Sequence, residues 1–430
     1  MFKKVMGTIG TKLLTAVIAV GTWILNAHYL GPENLGTISL IIFSVAIIQL
    51  LTNFVAGAAL IYMTPRTGIY KLFIPAYIWT FFITLAGAFL MLAIGRAFPI
   101  IGMIPPGYFT PVIVLALVMS FTSVHYMLLL GLEKVNTFNL ISLVQSILLF
   151  LILLVILFGI RRFDVMTYYW SILISYGAAL VVSLAKLFPS FRKVPLTNMK
   201  ALLGEIFRFG TYVQFANLFQ TMNYRLSLKF VDYFTGRAAV GILSLGMQLA
   251  EGLWLISRSL GTVQYSRLSN EMNYDYSARL TLTFAKIAWA VTAFAMALML
   301  LIPRVVFTMI FSARFGDVKL VIASLSFGIV ALSVSMIFSG FFSAINKPFH
   351  NTISSAIGLV FTIGLGLILV PAYGIMGAGI AATFSYTALT LYQFIIFSRM
   401  TKIGLRDFLL TRAEISLLAG ELKKIAKRTT

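Results

Sequence analysis

One strongly apolar stretch of the sequence, residues 210–232, carries a row of polar side chains three or four residues apart. That spacing places them on one face of a helix. The row consists of Gln214, Asn217, Thr221, Tyr224 and Arg225. A guanidinium group at the centre of a membrane-spanning helix costs about 2.5–3.5 kcal/mol on insertion scales. We therefore expect this face to point toward protein or water.

The following apolar stretch carries a second row, in which Ser244, Gln248, Glu251 and Arg258 share a helical face. Glu251 is the one carboxylate placed deep within an apolar stretch, and Arg225 is its natural counter-ion. Because an ionised pair is a costly way to pack two helices, we expect Arg225 and Glu251 to have a functional role.

The N-terminal half of the chain has a weaker set of the same kind. Thr22 and Asn26 share a face of the first apolar stretch, and His28 follows closely. Gln49 and Asn53 stand four residues apart on the second stretch. For these uncharged groups an alternative remains open, because Asn, Gln and Ser commonly form hydrogen bonds between packed membrane helices.

Other polar residues within apolar stretches have simpler interpretations. His125 is expected to be a hydrogen-bonded packing residue. Lys229 and Asp232 could extend to the outer membrane interface, as long charged side chains often do.

Enzymatic and metal chemistry find little support in the residue types. The chain contains no cysteine and three histidines, His28, His125 and His350, none of them spaced as paired ligands on one helix. We expect no catalytic residues, no metal site and no cofactor. A membrane glycosyltransferase or polymerase would need paired acids or a sizeable outside loop, and neither is visible.

The composition explains why the polar rows stand out. Of the 430 residues, 60% are hydrophobic and only 10% are charged, whereas soluble domains average about 25% charged residues. The sequence is therefore that of an integral membrane protein. Its net charge of +21 reflects basic loops and not a nucleic-acid-binding surface.

Apolar runs of roughly 20 residues predict about twelve spanning helices. In the first half they cover 13–30, 35–62, 72–94, 109–131, 138–160 and 167–187, and in the second 210–232, 237–257, 281–302, 319–345, 351–370 and 375–398. The fold class is thus all-α and integral to the membrane.

Most of the 33 Lys and Arg residues fall in loops on one side and in the C-terminal tail, which places both termini in the cytoplasm. Four regions follow. They are an N-terminal six-helix lobe (1–190), a cytoplasmic amphipathic linker (191–209), a C-terminal six-helix lobe (210–398) and a basic amphipathic tail (399–430). We expect the tail to be held at the membrane surface by anionic lipid, and the alternative is a helix that binds a partner.

An internal repeat supports the division into two halves. Three short segments of the first half recur about 205 to 213 residues later, between equivalent spans. The pairs are Gly31–Gly36 with Gly236–Gly241, Gly131–Lys134 with Ala344–Lys347, and Ser175-Tyr176 with Ser385-Tyr386. Transporters are often built from two such halves, with the binding site between them.

Three segments resemble a known family. They are residues 26–36, 223–245 and 371–381, which are similar to polysaccharide (O-antigen, Wzx-type) flippases of the multidrug/oligosaccharidyl-lipid/polysaccharide (MOP) exporter superfamily. The resemblance implies a V-shaped pair of six-helix lobes and a cationic cavity lined by spans one, two, seven and eight. Arg225 matches a basic position of that pattern. His28 stands where relatives often carry Arg, and Ser227 where many carry Asp, which weakens the case for cation coupling there.

The resemblance further implies the function and its partners. The expected activity is movement of undecaprenyl-diphosphate-linked oligosaccharide to the outer leaflet by alternating access, with H⁺, Na⁺ or the membrane potential as driving force. Other polysaccharide-assembly membrane proteins are possible partners, and the location is the cell (inner or plasma) membrane. A cation-coupled multidrug exporter of the MATE type is the alternative, although several basic groups against one buried Glu argue against it. A lipid II flippase would ordinarily have fourteen spans.

Overall fold

The fold is a bundle of long helices. The computed structural model describes residues 2–191, 199–268 and 273–408. Its α-helices are α1 (Phe2–Leu25), α2 (Gly31–Ala56), α3 (Ala58–Thr67), α4 (Ile69–Ala97), α5 (Phe109–Gly131), α6 (Val135–Leu154), α7 (Val165–Leu187), α8 (Met199–Phe234), α9 (Arg237–Glu251), α10 (Trp254–Leu268), α11 (Tyr274–Leu301), α12 (Arg304–Phe311), α13 (Val318–Ala344) and α14 (Phe349–Thr401). Short π-helical turns follow α1 and α6, at Asn26–Leu30 and Val155–Ile160. The described residues contain no β-strand.

Eight helical segments of the described chain are long and apolar enough to cross a membrane, or nine if α9 and α10 form one bent span. Two of the eight, Gly10–Thr67 and Phe349–Thr401, contain 58 and 53 residues, whereas one crossing needs about 20. Each is broken by a glycine, Gly31 at φ 76° or Gly374 at φ 55°, and so can cross twice. Together with α8, whose polar face lowers its hydropathy, these segments account for the twelve predicted spans.

The break within α14 is a tight helical hairpin. A Cβ atom on Gly377 would lie 2.0 Å from the carbonyl oxygen of Leu369, so the chain doubles back on itself across Gly374. Further along, the Ser385 hydroxyl donates a hydrogen bond of 2.6 Å to the carbonyl oxygen of Gly358. The two predicted spans 351–370 and 375–398 therefore pack side by side.

Three predicted spans differ in detail from the observed helices. Span two is interrupted at Gly57, where α3 begins. Span eight is two helices, α9 and α10, which meet at 44° after Glu251. Span seven is longer than predicted, because the amphipathic residues 199–207 continue into it as the single 36-residue helix α8. Within that extension Ile206 is buried, and Phe207 contacts Phe54 and Trp79 of the N-terminal half. The predicted tail lies outside the described residues from position 409 onward.

The internal repeat is present in the backbone. Gly31 and Gly236, 205 residues apart, stand at the starts of α2 and α9 with nearly the same angles (φ 76°, ψ 176° and φ 101°, ψ 175°). Glu133 and Asn346, 213 residues apart, both have φ 57° in the turns that end α5 and α13. Non-glycine residues seldom adopt positive φ, so this correspondence is specific.

The helices form two lobes, α1–α7 and α8–α14, each packed mainly within itself. The lobes meet where α2 crosses α9. At that crossing a Cβ on Gly36 would lie 2.0 Å from the Arg237 carbonyl oxygen, and one on Gly241 1.9 Å from that of Pro32. Residues 36 and 241 are 205 positions apart, and so are residues 32 and 237. The two glycine contacts are therefore equivalent under the internal repeat, and the crossing is symmetric. No side chain fits at either glycine.

Candidate functional site

An ion pair links α8 to the end of α9 within the C-terminal lobe. The Arg225 guanidinium Nη2 donates a hydrogen bond of 2.7 Å to Glu251 Oε2, and the two side chains are 29% and 13% exposed. The sequence prediction that these residues are partners agrees with this geometry. The second carboxylate oxygen of Glu251 is buried and has no hydrogen-bond partner among the described residues, which leaves one acceptor site of the carboxylate open.

Three aromatic side chains surround this ion pair. The rings of Tyr224, Trp254 and Tyr386 contact one another with centroids 5.6 to 6.0 Å apart. The Tyr224 hydroxyl accepts a 2.8 Å hydrogen bond from Gln220, and the Trp254 indole donates to the carbonyl oxygen of Ile329. The buried aromatic group fixes the start of α10 against α8, and therefore fixes Glu251 opposite Arg225.

Arg258 lies on α10, one to two turns after the bend. It is exposed and lines a cavity of about 520 Å³ between α8, α10 and α13, together with Gln220, Tyr224 and Tyr265. Among the described residues no carboxylate forms a salt bridge with it. The sequence predicted that Arg258 and Ser244 share one face of a straight helix, but the 44° bend separates α9 from α10. Ser244, on α9, is buried and hydrogen-bonded to Ser39 of α2 at 2.8 Å.

The amide residues of the predicted site lie closer to the junction of the lobes. Gln214 is buried, and its Nε2 would lie 3.2 Å from a Cβ on Gly57, next to Asn53 on α2. Asn217 donates a 3.3 Å hydrogen bond to Gln214 Oε1. Alongside these residues, Asn53 is half-buried. This polar group therefore joins α8 to the point where α2 is interrupted.

The remaining predicted residues lie on α2, on α9 and in the first π-helical turn. Gln49 and Gln248 are half-buried on α2 and α9. Asn26 is completely buried, and neither its amide nitrogen nor its oxygen has a hydrogen-bond partner. His28 is exposed, and its ring lies 5.2 Å from Tyr29, which packs among aromatic residues of the N-terminal lobe.

A second charged cluster joins α8 to α9. Lys229 Nζ lies 2.7 Å from Asp232 Oδ2, and Arg237 pairs with the other carboxylate oxygen of Asp232. Lys229 and Asp232 have only 10% and 7% of their side chains exposed. This overturns the expectation that the two extend to the membrane interface. Their separation by three residues on one helix was the available sequence signal.

One polar network of the C-terminal lobe contains none of the predicted site residues. It joins α13 to both halves of α14 and consists of Ser335, Ser339, Ser343, Asn351, Ser354 and Gln393. These residues line a cavity of about 450 Å³. Ser335, Ser339 and Ser343 are spaced four apart, which is a helical face that the sequence already contained.

His125 has structural partners within the N-terminal lobe. His125 contacts Ser183 through Nδ1 at 2.7 Å and the Tyr77 hydroxyl through Nε2 at 2.5 Å, as expected of a packing residue. Within the described part of the chain, no group of three His, Asp or Glu side chains is arranged to hold a metal ion.

Comparison with solved structures places this geometry in a known fold. A MATE family multidrug resistance transporter of the MOP superfamily, in its inward-facing conformation, is similar with a TM-score of 0.67 and 17% identity, over 90% of this chain and 94% of that one. The lipid II flippase MurJ, inward closed, is similar with a TM-score of 0.69 and 14% identity, over 95% and 89%. The chain has the fold of MOP transporters.

A third solved structure with this fold is a MOP superfamily transporter from Pyrococcus furiosus (TM-score 0.63, 15% identity, covering 93% of this chain and 94% of that one), for which reverse polarity of the binding pocket suggests a different function. No family model matches the sequence. Among curated proteins, the uncharacterized membrane protein MJ1068 of Methanocaldococcus jannaschii is 25% identical over 260 residues. Those residues are 58% of this chain and 50% of MJ1068, so the chain spans about half the length of the curated relative it matches. The narrower resemblance to O-antigen flippases stays a prediction.

Proposed function

We propose that this protein is a flippase that moves undecaprenyl-diphosphate-linked oligosaccharide from the inner to the outer leaflet of the cell membrane. The observation that carries the proposal is the excess of cations beside the C-terminal lobe cavity. Arg225 and Arg258 lie near Tyr224, with Glu251 as the nearby carboxylate. A diphosphate cannot cross hydrocarbon unaided, and guanidinium groups form strong, often paired hydrogen bonds with phosphate oxygens.

The contact between the lobes suggests how the cavity changes its access. The tightest contact between the lobes lies near the starts of α2 and α9, and the start of α8 also meets the N-terminal lobe, where Phe207 contacts Phe54 and Trp79. The cavities extend toward the turn at 345–350, which joins α13 to α14. With both termini cytoplasmic, the glycine crossing would lie on the outer side and the Phe207 contacts on the inner side. Alternating access would then require the glycine crossing to separate while the lobes rearrange at the inner end.

The substrate would divide between two environments. Its diphosphate and glycan occupy the polar cavity, and its lipid tail stays in the bilayer. H⁺, Na⁺ or the membrane potential would drive the cycle, and other polysaccharide-assembly proteins would supply and receive the glycan.

A cation-coupled multidrug exporter is the second candidate. One observation favours it, which is the buried Glu251 oxygen without a partner, since a carboxylate with a free acceptor could bind a cationic drug or a coupling proton.

Proteoliposomes containing the purified protein can separate the two functions. The test follows a fluorescent undecaprenyl-diphosphate oligosaccharide as it becomes protected from a membrane-impermeant quencher, and in parallel follows ethidium uptake. We expect translocation of the lipid-linked glycan, and a loss of about 10- to 100-fold in Arg225→Gln, because a charge-assisted hydrogen bond contributes about 1.5–3 kcal/mol. Arg162→Gln, which alters an exposed pair elsewhere, is the matched control. Ethidium uptake that depends on Glu251, without glycan translocation, would establish the exporter instead.

A further inference from the structure

We propose that the network-lined cavity of the C-terminal lobe is a binding subsite for the uncharged sugars of the transported glycan, separate from the arginines. This inference rests on the proposed function and deepens it. The cavity lies between α8, α13 and α14 and has a volume of about 450 Å³. That size falls within the range of about 300–1,000 Å³ that is common for small-molecule sites.

The chemistry of the lining is that of a site for a neutral, hydroxyl-rich ligand. Its polar side chains are hydroxyls and amides, and no Lys, Arg, Asp, Glu or His lines it. The polar lining consists of Asn217, Gln220, Asn223, Tyr224, Ser335, Ser339, Ser343, Asn351, Thr352, Ser354, Ser355 and Gln393. Hydroxyls and amides both donate and accept hydrogen bonds, which matches the alternating donors and acceptors of a sugar ring.

The central side chain of this lining is fixed in place. Gln393 is 1% exposed and accepts a 2.6 Å hydrogen bond from Ser335, and its Nε2, which has two hydrogens to donate, lies 3.0 to 3.2 Å from acceptor oxygens of Ser339, Asn351 and Ser354. A hydrogen-bonded network of this kind holds its members in one geometry before a ligand arrives. The wall of the cavity is therefore organised in advance.

Some polar groups of the same wall are left free. Thr352 and Ser355 line the cavity and form no hydrogen bond with the described residues. The amide nitrogen of Asn223 is buried without a partner, although its oxygen accepts hydrogen bonds from Thr362 and Ser385. Buried donors are nearly always satisfied in proteins, so the unpaired Asn223 nitrogen indicates a missing partner, and the half-buried Thr352 and Ser355 hydroxyls lie on the same wall.

Two aromatic rings complete the cavity. Tyr224 and Phe349 line opposite elements, α8 and the start of α14. Their faces offer apolar surface to the C–H groups of a sugar ring.

The cavity is continuous with the cationic one. Gln220, Tyr224, Leu332, Ser335 and Ser339 line both cavities, and the second also contains Arg258. A ligand with an anionic group at one end and neutral sugars at the other would fit both at once. That arrangement matches the connection between diphosphate and glycan in the proposed substrate.

Binding of two probes to the full-length protein in detergent tests this assignment. One probe is undecaprenyl diphosphate, and the other is the same lipid carrying a neutral tetrasaccharide. Ser355→Leu fills the cavity, and we expect it to weaken binding of the glycan-bearing probe at least about fivefold while leaving the sugar-free probe unaffected. Arg225→Gln should weaken both.

Thr352→Val removes one free hydroxyl with little change in volume, so it keeps the test decisive if Ser355→Leu does not fold. Its matched control is Thr387→Val, which removes an exposed hydroxyl from the same helix. The subsite is refuted if Ser355→Leu and Thr352→Val bind the glycan-bearing probe as the wild type does, or if they weaken both probes equally. Wild-type protein that binds neither probe would overturn the proposed function itself.

Discussion

The two halves of the chain share a backbone plan but differ in charge. At the 205-residue offset of the repeat, Arg225 corresponds to Val20, Glu251 to Ala46 and Arg258 to Asn53. By contrast, the residues at the crossing of α2 and α9 are identical at this offset, since Gly36 corresponds to Gly241 and Ser39 to Ser244. The repeat has thus been kept where the lobes touch and has diverged where a ligand would bind.

Contact between the lobes and recognition of a ligand place different requirements on the sequence. Contact between the lobes needs close approach of two backbones, which glycine permits. Because the crossing is symmetric, one glycine at the equivalent position of each half is enough. Recognition of an asymmetric ligand, with an anionic head and a glycan, has no need of symmetry. In the proposed function, the cationic cavity is therefore assigned to the C-terminal lobe.

The largest effect is expected from a covalent cross-link between α2 and α9 at the glycine crossing. The Ser39 and Ser244 hydroxyl oxygens lie 2.8 Å apart, and the natural chain has no cysteine. Ser39→Cys combined with Ser244→Cys should form a disulfide on oxidation. Because the lobes could then no longer separate at this end, translocation in proteoliposomes should fall to background and return on reduction.

Each single cysteine variant is the control for this experiment, and both should keep transport under oxidation. If the oxidised double variant, with the cross-link verified by mass spectrometry, transports at the wild-type rate, the crossing does not open during the cycle.

The second prediction concerns the charged half. Arg225→Met leaves the largely buried Glu251 carboxylate without its partner, and we expect thermal unfolding in detergent to report a loss of about 2–4 kcal/mol, at the lower end because Arg225 is partly exposed. Adding Glu251→Gln removes the unpaired charge and should restore most of the stability without restoring glycan translocation. If the double variant is no more stable than Arg225→Met alone, the two residues are not energetically coupled.

The third prediction concerns the glycines themselves. Gly36→Ala places a methyl group against a backbone carbonyl, so the helices must move apart. Overpacking of this kind costs about 1–3 kcal/mol. Gly364→Ala, where nothing lies within 4 Å of the added atom, is the matched control and should gain up to about 1 kcal/mol from helix propensity. Equal unfolding temperatures for the two variants would contradict the tight crossing.

The sequence predicted the parts of this molecule that depend on local patterns. Long apolar runs located the spans, and α5 coincides with the predicted 109–131. The repeated glycines marked the halves, and the ion pair followed from two charged residues in apolar surroundings. These signals are visible because the bilayer penalises charge and exposed backbone wherever they occur.

Features that arise from packing between distant helices could not be predicted in this way. The bend after Glu251 falls at Gly252, which ends α9, but its direction is matched by a contact with α13 that the sequence does not show, the hydrogen bond from Trp254 to the carbonyl oxygen of Ile329. Gln393 bonds to residues 39 to 58 positions away, so its network appears only once α13 and α14 are side by side. The position of Asn53 at the break of α2, beside Gln214, likewise depends on how α2 packs against α8.

The smallest effect is expected from substitution of His28, and this substitution tests whether the N-terminal lobe supplies charge to the ligand. The family resemblance gives it the role of a pH-dependent cation, yet its side chain is exposed and its ring packs on Tyr29. Because an exposed side chain outside a network contributes little, His28→Gln should change stability by less than about 0.5 kcal/mol. Translocation across pH 5.5 to 8 should keep the wild-type profile, in contrast to the loss expected for Arg225→Gln. A profile that flattens in His28→Gln would show instead that the N-terminal lobe also supplies charge to the ligand during the cycle, and the division of roles between the halves would fail.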